Sequence, residues 1–402
     1  MFHRYYIFGD LMVHLTKEEE RMLNGEYGEA VQQAMEILYA LAKIYNAENM
    51  IPVSSAQIAG VSYATIGDAG LEYLKEYARK GAKVRVPTFL NPAGMDLKQW
   101  KEMKVPEEFA KKQIEIMNAY VNMGIHPTAT CTPYLIGIRP KKGEHVAWSE
   151  SSAVCFANSV LGARTNREGG PSALAAAICG VTPNYGLHLD ENRVCSVLFE
   201  VEAKLEKISD FGALGYYVGE VAKGKNPAFS GIKKATEDQL KSFGAAMAAS
   251  GSVALYNIKN ITPEYRVAED AEKITITEKE LKETKEKLKD VEKVELMTFG
   301  CPHASIEEIK RIAEKVKGKK LKCELWICTA RKTKEKADEL GLTKIIESAG
   351  GRIVADTCMV VSPLYEMGYR KTSTNSAKSA KYLRDLCKQK VFFGELEEMV
   401  CE

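Results

Sequence analysis

A multi-lobed α/β fold, with mainly parallel sheets flanked by helices, is what this sequence predicts, and three observations carry it. Short apolar or β-branched runs alternate with amphipathic helical stretches through most of the 402 residues, the order that buries a parallel sheet between two helical layers. From Val294 the alternation becomes regular, strand–helix–strand–helix–strand, as in a doubly wound segment. With 45% hydrophobic and 27% charged residues, the chain has ordinary globular composition and the length for two or three domains.

The elements follow in order. LTKEEERMLNG (15–25) reads as a helix, with Thr16 as N-cap, acids in its first turn and Gly25 at its stop. EAVQQAMEILYALAKIYNA has apolar residues at three- and four-residue spacing, a second helix. ENMIPVSSAQIAG is a short strand ending in a Ser/Ala/Gly loop, 67–81 a helix, and KVRVPTF (83–89) a strand running into NPAG. Helices are expected at 107–124, near 151–162 and at 171–180, with a loop or strand around 126–137. RVCSVLFEVE is strand-like, TEDQLKSFGAAMAAS helical, and SVALYNI a strand. The first lobe is therefore set at 1–262. Residues 263–293 are strongly charged and read as a linker or peripheral helix laced with i,i+4 pairs. The lobe 294–402 holds VELMTFG, SIEEIKRIAEKVKG, KCELWICTA, KEKADELGLTKIIESAG and RIVADTCMVV in strand–helix alternation, then a charged C-terminal helix. The Lys/Glu-rich surface suits a thermophile.

Several function classes are disfavoured. A formal charge of +2 gives no electrostatic case for nucleic acid as the partner. No apolar run approaches the roughly 18–20 residues that span a bilayer. The opening MFHRYYIFGDLMVHL lacks a secretory cleavage pattern, and Met12 is an alternative start that would make residues 1–11 a dispensable extension. The expectation is a cytoplasmic chain. Neither Gly-rich stretch fits a P-loop or a dinucleotide fingerprint.

The ten cysteines are mostly explained as small buried hydrophobes: Cys179, Cys195, Cys323 and Cys328 sit in apolar helices or strands. Cys387 and Cys401 lie in the C-terminal tail without a ligand-like context, and Cys155 is the reserve candidate. Three others share one context. Cys131 in HPTATCTPY, Cys301 in VELMTFGCPHAS and Cys358 in GRIVADTCMVVSP each fall in or just beyond a strand-like run, among Pro, Thr and Gly. Carboxyl ends of strands are where open α/β sheets bind ligands. Three thiolates meeting in one cleft would hold an iron–sulfur cluster or a metal and leave a coordination position open. Cys301 precedes a helix start, whose dipole is expected to favour the thiolate. His303 raises a Cys/His zinc site as an alternative, but no CxxC pair completes one. A third reading is a non-catalytic α/β binding subunit with buried cysteines.

Other candidates are anion-holding loops. Gly169 and Gly170 precede Pro171 at a helix start, and Ser54 and Ser55 follow a strand. KTSTNSAKSAKY (371–382) reads as a hydroxyl-rich loop entering a helix, with Asn375 and Ser376 either capping it or clamping an oxyanion.

Taken in order, PVSSAQIAGVSYATIGDAGLEYL, TCTPYL, GARTNREGGPSALAAAICG, FGAAMAASGSVALY, MTFGCPHAS, LWICTARKT, ADTCMVVSPL and KTSTNSAKSAKY resemble the large subunit of aconitase X, from about residue 12 to residue 385. That resemblance implies an aconitase-like architecture and a hydro-lyase whose iron–sulfur cluster is held by Cys131, Cys301 and Cys358. A 4Fe–4S cluster is the expectation, with 3Fe–4S or another nuclearity open. It implies a phosphorylated hydroxy acid as substrate: mevalonate 5-phosphate, dehydrated to trans-anhydromevalonate 5-phosphate in a variant, archaeal mevalonate route to isoprenoids. The alternative substrate is cis-3-hydroxy-L-proline. It also implies a separate small swivelling-domain subunit as partner, in a heterodimer or larger assembly. The catalytic base, a serine on that domain in aconitases, would lie outside this sequence. Ser54, Ser55, Gly169, Gly170, Asn375 and Ser376 are the residues expected to orient the substrate's anionic ends.

Overall fold

In the computed structural model, residues 13–401 are described. Their centre is a five-stranded parallel sheet in the order Gly351–Ala355, Glu324–Thr329, Leu296–Phe299, Lys371–Thr374, Lys390–Phe393. The chain starts in the middle strand, winds to one edge, then crosses back to the other side. The switch point therefore lies between Leu296–Phe299 and Lys371–Thr374, where a crevice opens at the carboxyl ends. Side chains alternate by face. Met297, Phe299, Leu325 and Ile327 pack under helices Ile306–Val316, Arg331–Glu339 and Leu342–Ser348. Leu296, Trp326, Cys328 and Val354 face the opposite way, into the larger core shared with the middle of the chain.

Two segments differ from expectation here. The stretch 371–374, read as a polar loop, is an interior strand with Thr372, Ser373 and Thr374 fully buried. Threonine is β-branched and suits a strand, and the local hydroxyls find partners: Thr298 donates to the Ser373 carbonyl at 2.7 Å and Thr372 to Gln389 at 2.9 Å. The tail, read as helical, supplies strands Lys390–Phe393 and Val400–Cys401 beyond helix Ala377–Asp385. A disulfide joins Cys323 to Cys401, where a buried thiol and a helical tail residue were expected.

A second parallel sheet runs Asn257–Ile258, Pro227–Ser230, Cys195–Val201, Val267–Ile276. Residues 263–293 are thus more than a linker: they contribute the ten-residue edge strand of this sheet and then helix Glu278–Lys287. Helices Ile208–Ala222 and Glu237–Gly251 cross at close range because glycine faces backbone. A Cβ on Gly215 would sit 2.3 Å from the Phe243 carbonyl oxygen.

The amino-terminal part holds a three-stranded parallel sheet, Thr88–Leu90, Ala56–Ile58, Ala147–Trp148, and an antiparallel pair, Met50–Pro52 with Val181–Pro183. Of the strand expected over 83–89, only its end is realised, since Pro87 cannot donate to a ladder. The first helix, Lys17–Leu23, starts at Thr16 with a complete capping box to Glu19. The helix expected at 67–81 begins earlier, at Tyr63, and kinks at Gly67, where φ is +57°. Its N-cap Ser62 donates to the Val361 carbonyl at 2.8 Å, tying this part to the loop that carries Cys358.

Candidate active site

The three cysteines singled out by their context face one cavity. Cys301 leaves strand Leu296–Phe299 through Gly300, which has φ +90°; a Cβ there would lie 2.0 Å from the Cys328 carbonyl oxygen, so only glycine fits the turn. The Cys301–Pro302 bond is cis, and helix Ile306–Val316 begins after its N-cap Ser305. Cys358 stands three residues beyond strand Gly351–Ala355. Cys131 comes from the loop before the short helix Pro133–Ile136. All three are buried, at 5–6% exposure, and all three line a cavity of about 1050 Å³.

Their protonation is not set by the helix start, as expected for Cys301. That thiol is raised well above its ordinary value, first by its hydrogen bond to Cys358 and then by burial. Cys358 is correspondingly lowered because Cys301 donates to it. Burial, then the charge of Glu150, push Cys131 up to about 12. The negative charge of the pair therefore rests on Cys358, and the Lys378 charge favours the thiolate at all three positions.

Lys378 is the cation of the cavity. It projects from helix Ala377–Asp385, is 6% exposed, forms an ion pair with Glu150 and lies 3.2 Å from the Ser152 hydroxyl. Burial works against its charge, but Glu150 and then the nearby thiols raise it above an ordinary lysine. Burial would also raise Glu150, yet the Lys378 charge and hydrogen bonds from Lys378, Asn91 and Ser152 hold it at about 2. Asn91 donates to Glu150 at 2.6 Å, and its carbonyl oxygen, buried beside the cavity, has no hydrogen-bond partner among the described residues. Arg167 and Lys388 reach the same cavity from exposed positions; Arg167 makes no hydrogen bond or ion pair among the described residues. Phe109, Val360, Val361 and Leu364 supply an apolar wall.

The zinc alternative built on His303 finds no support in the geometry. Both ring nitrogens are already engaged, Nδ1 with the Thr130 hydroxyl at 2.9 Å and Nε2 with the Thr357 carbonyl at 3.0 Å. Among the described residues no group of three or more His, Cys, Asp or Glu side chains gathers to hold a single ion. Three sulfur donors lining one roomy cavity, with a lysine beside them, fit a polynuclear cluster.

The expected anion-holding residues lie elsewhere. Ser54 is exposed and bonds Glu144; Ser55 accepts from the Trp148 indole at 3.2 Å. The Gly169 amide is not free, since it donates to the Ser172 hydroxyl at 2.9 Å. Gly170 presses against the Ala59 carbonyl, where a Cβ would come within 2.6 Å. Asn375 opens onto a separate cavity beside Glu308 and Glu395. Ser376 caps helix Ala377–Asp385, accepting from the Ser379 amide at 3.1 Å. None of the six lines the cavity of the thiols. Cys155 is also outside it, buried under Gly244. Cys387, set aside as a tail residue, does reach the cavity, but its thiol donates to the Val360 carbonyl at 3.1 Å. Asn91, Glu150 and Arg167 were missed. Lys378 carries no local signal either, because its partner is 228 residues away in sequence.

Three aconitase X family models match the chain in order: the first domain over residues 12–191, the second over 195–286 and the third over 294–402. The chain belongs to the aconitase X family. Its relatives include the phosphomevalonate dehydratase large subunit of Methanocaldococcus jannaschii, 53% identical over 96% of this chain and 99% of that one. The cis-3-hydroxy-L-proline dehydratase of Pseudomonas aeruginosa is 35% identical over 94% of this chain but only 68% of its own length. A crystal structure of Thermococcus kodakaraensis aconitase X in its holo-form is 50% identical, with a TM-score of 0.91, over 96% of this chain and 98% of that chain. In aconitase X terms, the first domain brings Cys131, Glu150 and Arg167 to the cavity, and the third brings Cys301, Cys358 and Lys378.

Proposed function

We propose that this chain is the large subunit of a phosphomevalonate dehydratase, a hydro-lyase that removes water from mevalonate 5-phosphate to give trans-anhydromevalonate 5-phosphate. The observation that carries the reading is 53% identity to a named large subunit along nearly the whole of both chains. The site supports it, since three thiols, a buried lysine and an exposed arginine share one cavity. Cys131, Cys301 and Cys358 hold the iron–sulfur cluster in this reading. When bound, that cluster supplies an iron with an open position, a Lewis acid for the departing hydroxyl.

The chain's own groups do the rest of the placing. Lys378 offsets the negative charge of the thiolates, and ionised Glu150 fixes the ammonium in place. The free carbonyl oxygen of Asn91 accepts a hydrogen bond from a substrate hydroxyl or a water. Arg167 takes an anionic end of the substrate in a forked pair, a geometry that suits phosphate and carboxylate alike. The apolar wall of Phe109, Val360, Val361 and Leu364 meets the methyl and methylene carbons and excludes water.

The base that removes the proton next to the carboxylate belongs to a small partner subunit. Support comes from the words "large subunit" in the relatives' names and from the hydroxyproline dehydratase, about a third of whose length has no counterpart here. The test is an anaerobic assay of this chain, alone and with its small subunit, on both acids. Turnover of mevalonate 5-phosphate only by the pair is expected. Turnover of cis-3-hydroxy-L-proline instead would sink the substrate assignment.

Arg167→Gln is expected to raise KM for mevalonate 5-phosphate roughly 10- to 100-fold, since a charged hydrogen bond contributes about 1.5–3 kcal/mol. An unchanged KM in steady-state assays would place the anionic end elsewhere in the cavity.

A further inference from the structure

His303 is fully buried and sits among the three cysteine loops. Its ring spans two of them. Nε2 faces the Thr357 carbonyl, which can only accept, so Nε2 carries the proton and donates at 3.0 Å. In the neutral ring this leaves Nδ1 to accept from the Thr130 hydroxyl at 2.9 Å, and that hydroxyl in turn accepts from the Thr132 amide at 3.1 Å. Thr130 immediately precedes Cys131, and Thr357 immediately precedes Cys358. The third loop is His303's own, two residues after Cys301.

The backbone of His303 is engaged as fully as its ring. Its amide donates to Cys131 Sγ at 3.2 Å, and its carbonyl accepts from Lys241 at 3.1 Å. Lys241 is buried on helix Glu237–Gly251, in the segment matched by the second-domain model, and is ion-paired with Asp238 and Glu308. All three aconitase X domains thus meet at one residue.

We infer that His303 is a positioning residue for the cluster: its neutral ring acts as a rigid spacer that sets the separation of the Cys131, Cys301 and Cys358 loops. This rests on the reading that those cysteines hold an iron–sulfur cluster. A side chain flat enough to bridge two loops, with one donor and one acceptor at opposite ends, is what the spacing between a hydroxyl and a carbonyl requires. Alanine leaves both partners buried without a bond, while glutamine can restore one of the two. Groups that orient a metal's ligands without touching the metal contribute about 10- to 100-fold in its retention.

The experiment compares wild type, His303→Ala, His303→Gln and Thr130→Val after anaerobic reconstitution with iron and sulfide. Iron and sulfide content, the electron paramagnetic resonance spectrum of the reduced cluster, and the rate of cluster loss in air are read, with circular dichroism as the fold check. In His303→Ala, loss in air is expected to be about 10- to 100-fold faster, with an altered resonance line shape. His303→Gln should recover part of both, and Thr130→Val should shift both less, in the same direction. Residue 303 serving only to fill the core would lower thermal stability but leave the line shape of bound cluster unchanged, which overturns the inference. Wild-type line shape and lifetime in both His303→Ala and Thr130→Val also overturn it, leaving the cluster reading intact. A wild-type protein that takes up no cluster overturns the cluster reading and this inference together. Should His303→Ala fail to fold, Thr130→Val decides.

Discussion

Serine in place of any one of Cys131, Cys301 or Cys358 is expected to abolish dehydration by the assembled enzyme and to deplete bound iron, whereas Cys387→Ser and Cys155→Ser keep both. The contrast is the informative part. All five cysteines are buried or half-buried, so loss of a small apolar group would affect them alike. What distinguishes the three is that their thiols face one cavity under the field of Lys378, while Cys387 is committed to the Val360 carbonyl and Cys155 packs under Gly244. In the proposed reading these thiols hold the iron that acts as Lewis acid, whose loss would cost several kcal/mol of transition-state stabilisation, on the order of 10³-fold in rate. Iron and sulfide analysis beside the rate assay checks it. Full iron content in Cys358→Ser, or loss of it in Cys387→Ser, would require a different set of ligands.

Lys378→Met is expected to destabilise the cluster-free protein by about 3–5 kcal/mol, because it strands the Glu150 carboxylate in a buried site. The double variant Lys378→Met/Glu150→Gln should recover most of that loss, since the uncompensated charge is gone. Urea unfolding monitored by circular dichroism measures both. The same pair sets a pH window. Glu150 is held at about 2 in the folded protein, below the ordinary 4.5 of a glutamate. Its folded value is depressed, so its contribution is complete above about 4.5 and is lost as pH falls toward about 2. Wild type should therefore show an acid limb in that interval that Glu150→Gln lacks. A single Lys378→Met variant as stable as wild type would mean that the pair is not a buried ion pair in solution.

Local pattern made much of the fold legible. After Val294 apolar runs alternate with amphipathic helical stretches, and three of the five strands of the central sheet were legible in that alternation. Lys371–Thr374 was hidden because its buried face is made of threonine and serine, with Thr372 and Ser373 finding partners at Gln389 and Met399, and Lys390–Phe393 was hidden in a charged tail that reads as helical. The charged strand Val267–Ile276 was hidden for a related reason. It is an edge strand with most side chains outward, so its composition reads as solvated helix or linker.

By itself, then, the sequence determined the α/β class, the membership of the aconitase X family, and the three cysteines that share a strand-end context. Each of these is written in residues adjacent in the chain, through burial period, turn chemistry or an uninterrupted string. Only the tertiary structure decided which polar residues meet those thiols. Glu150 and Lys378 are 228 residues apart, and Thr130 and His303 are 173 apart. Such pairs exist because separate domains close around one cavity, and no local period records which side chains that closure brings together. Ser54, Gly169 and Ser376 carry local signals that suit anion binding or a turn and cap alike, and packing pairs their polar groups with neighbouring loops and a helix cap. A loop's capacity to bind is local, whereas the direction in which it faces is not.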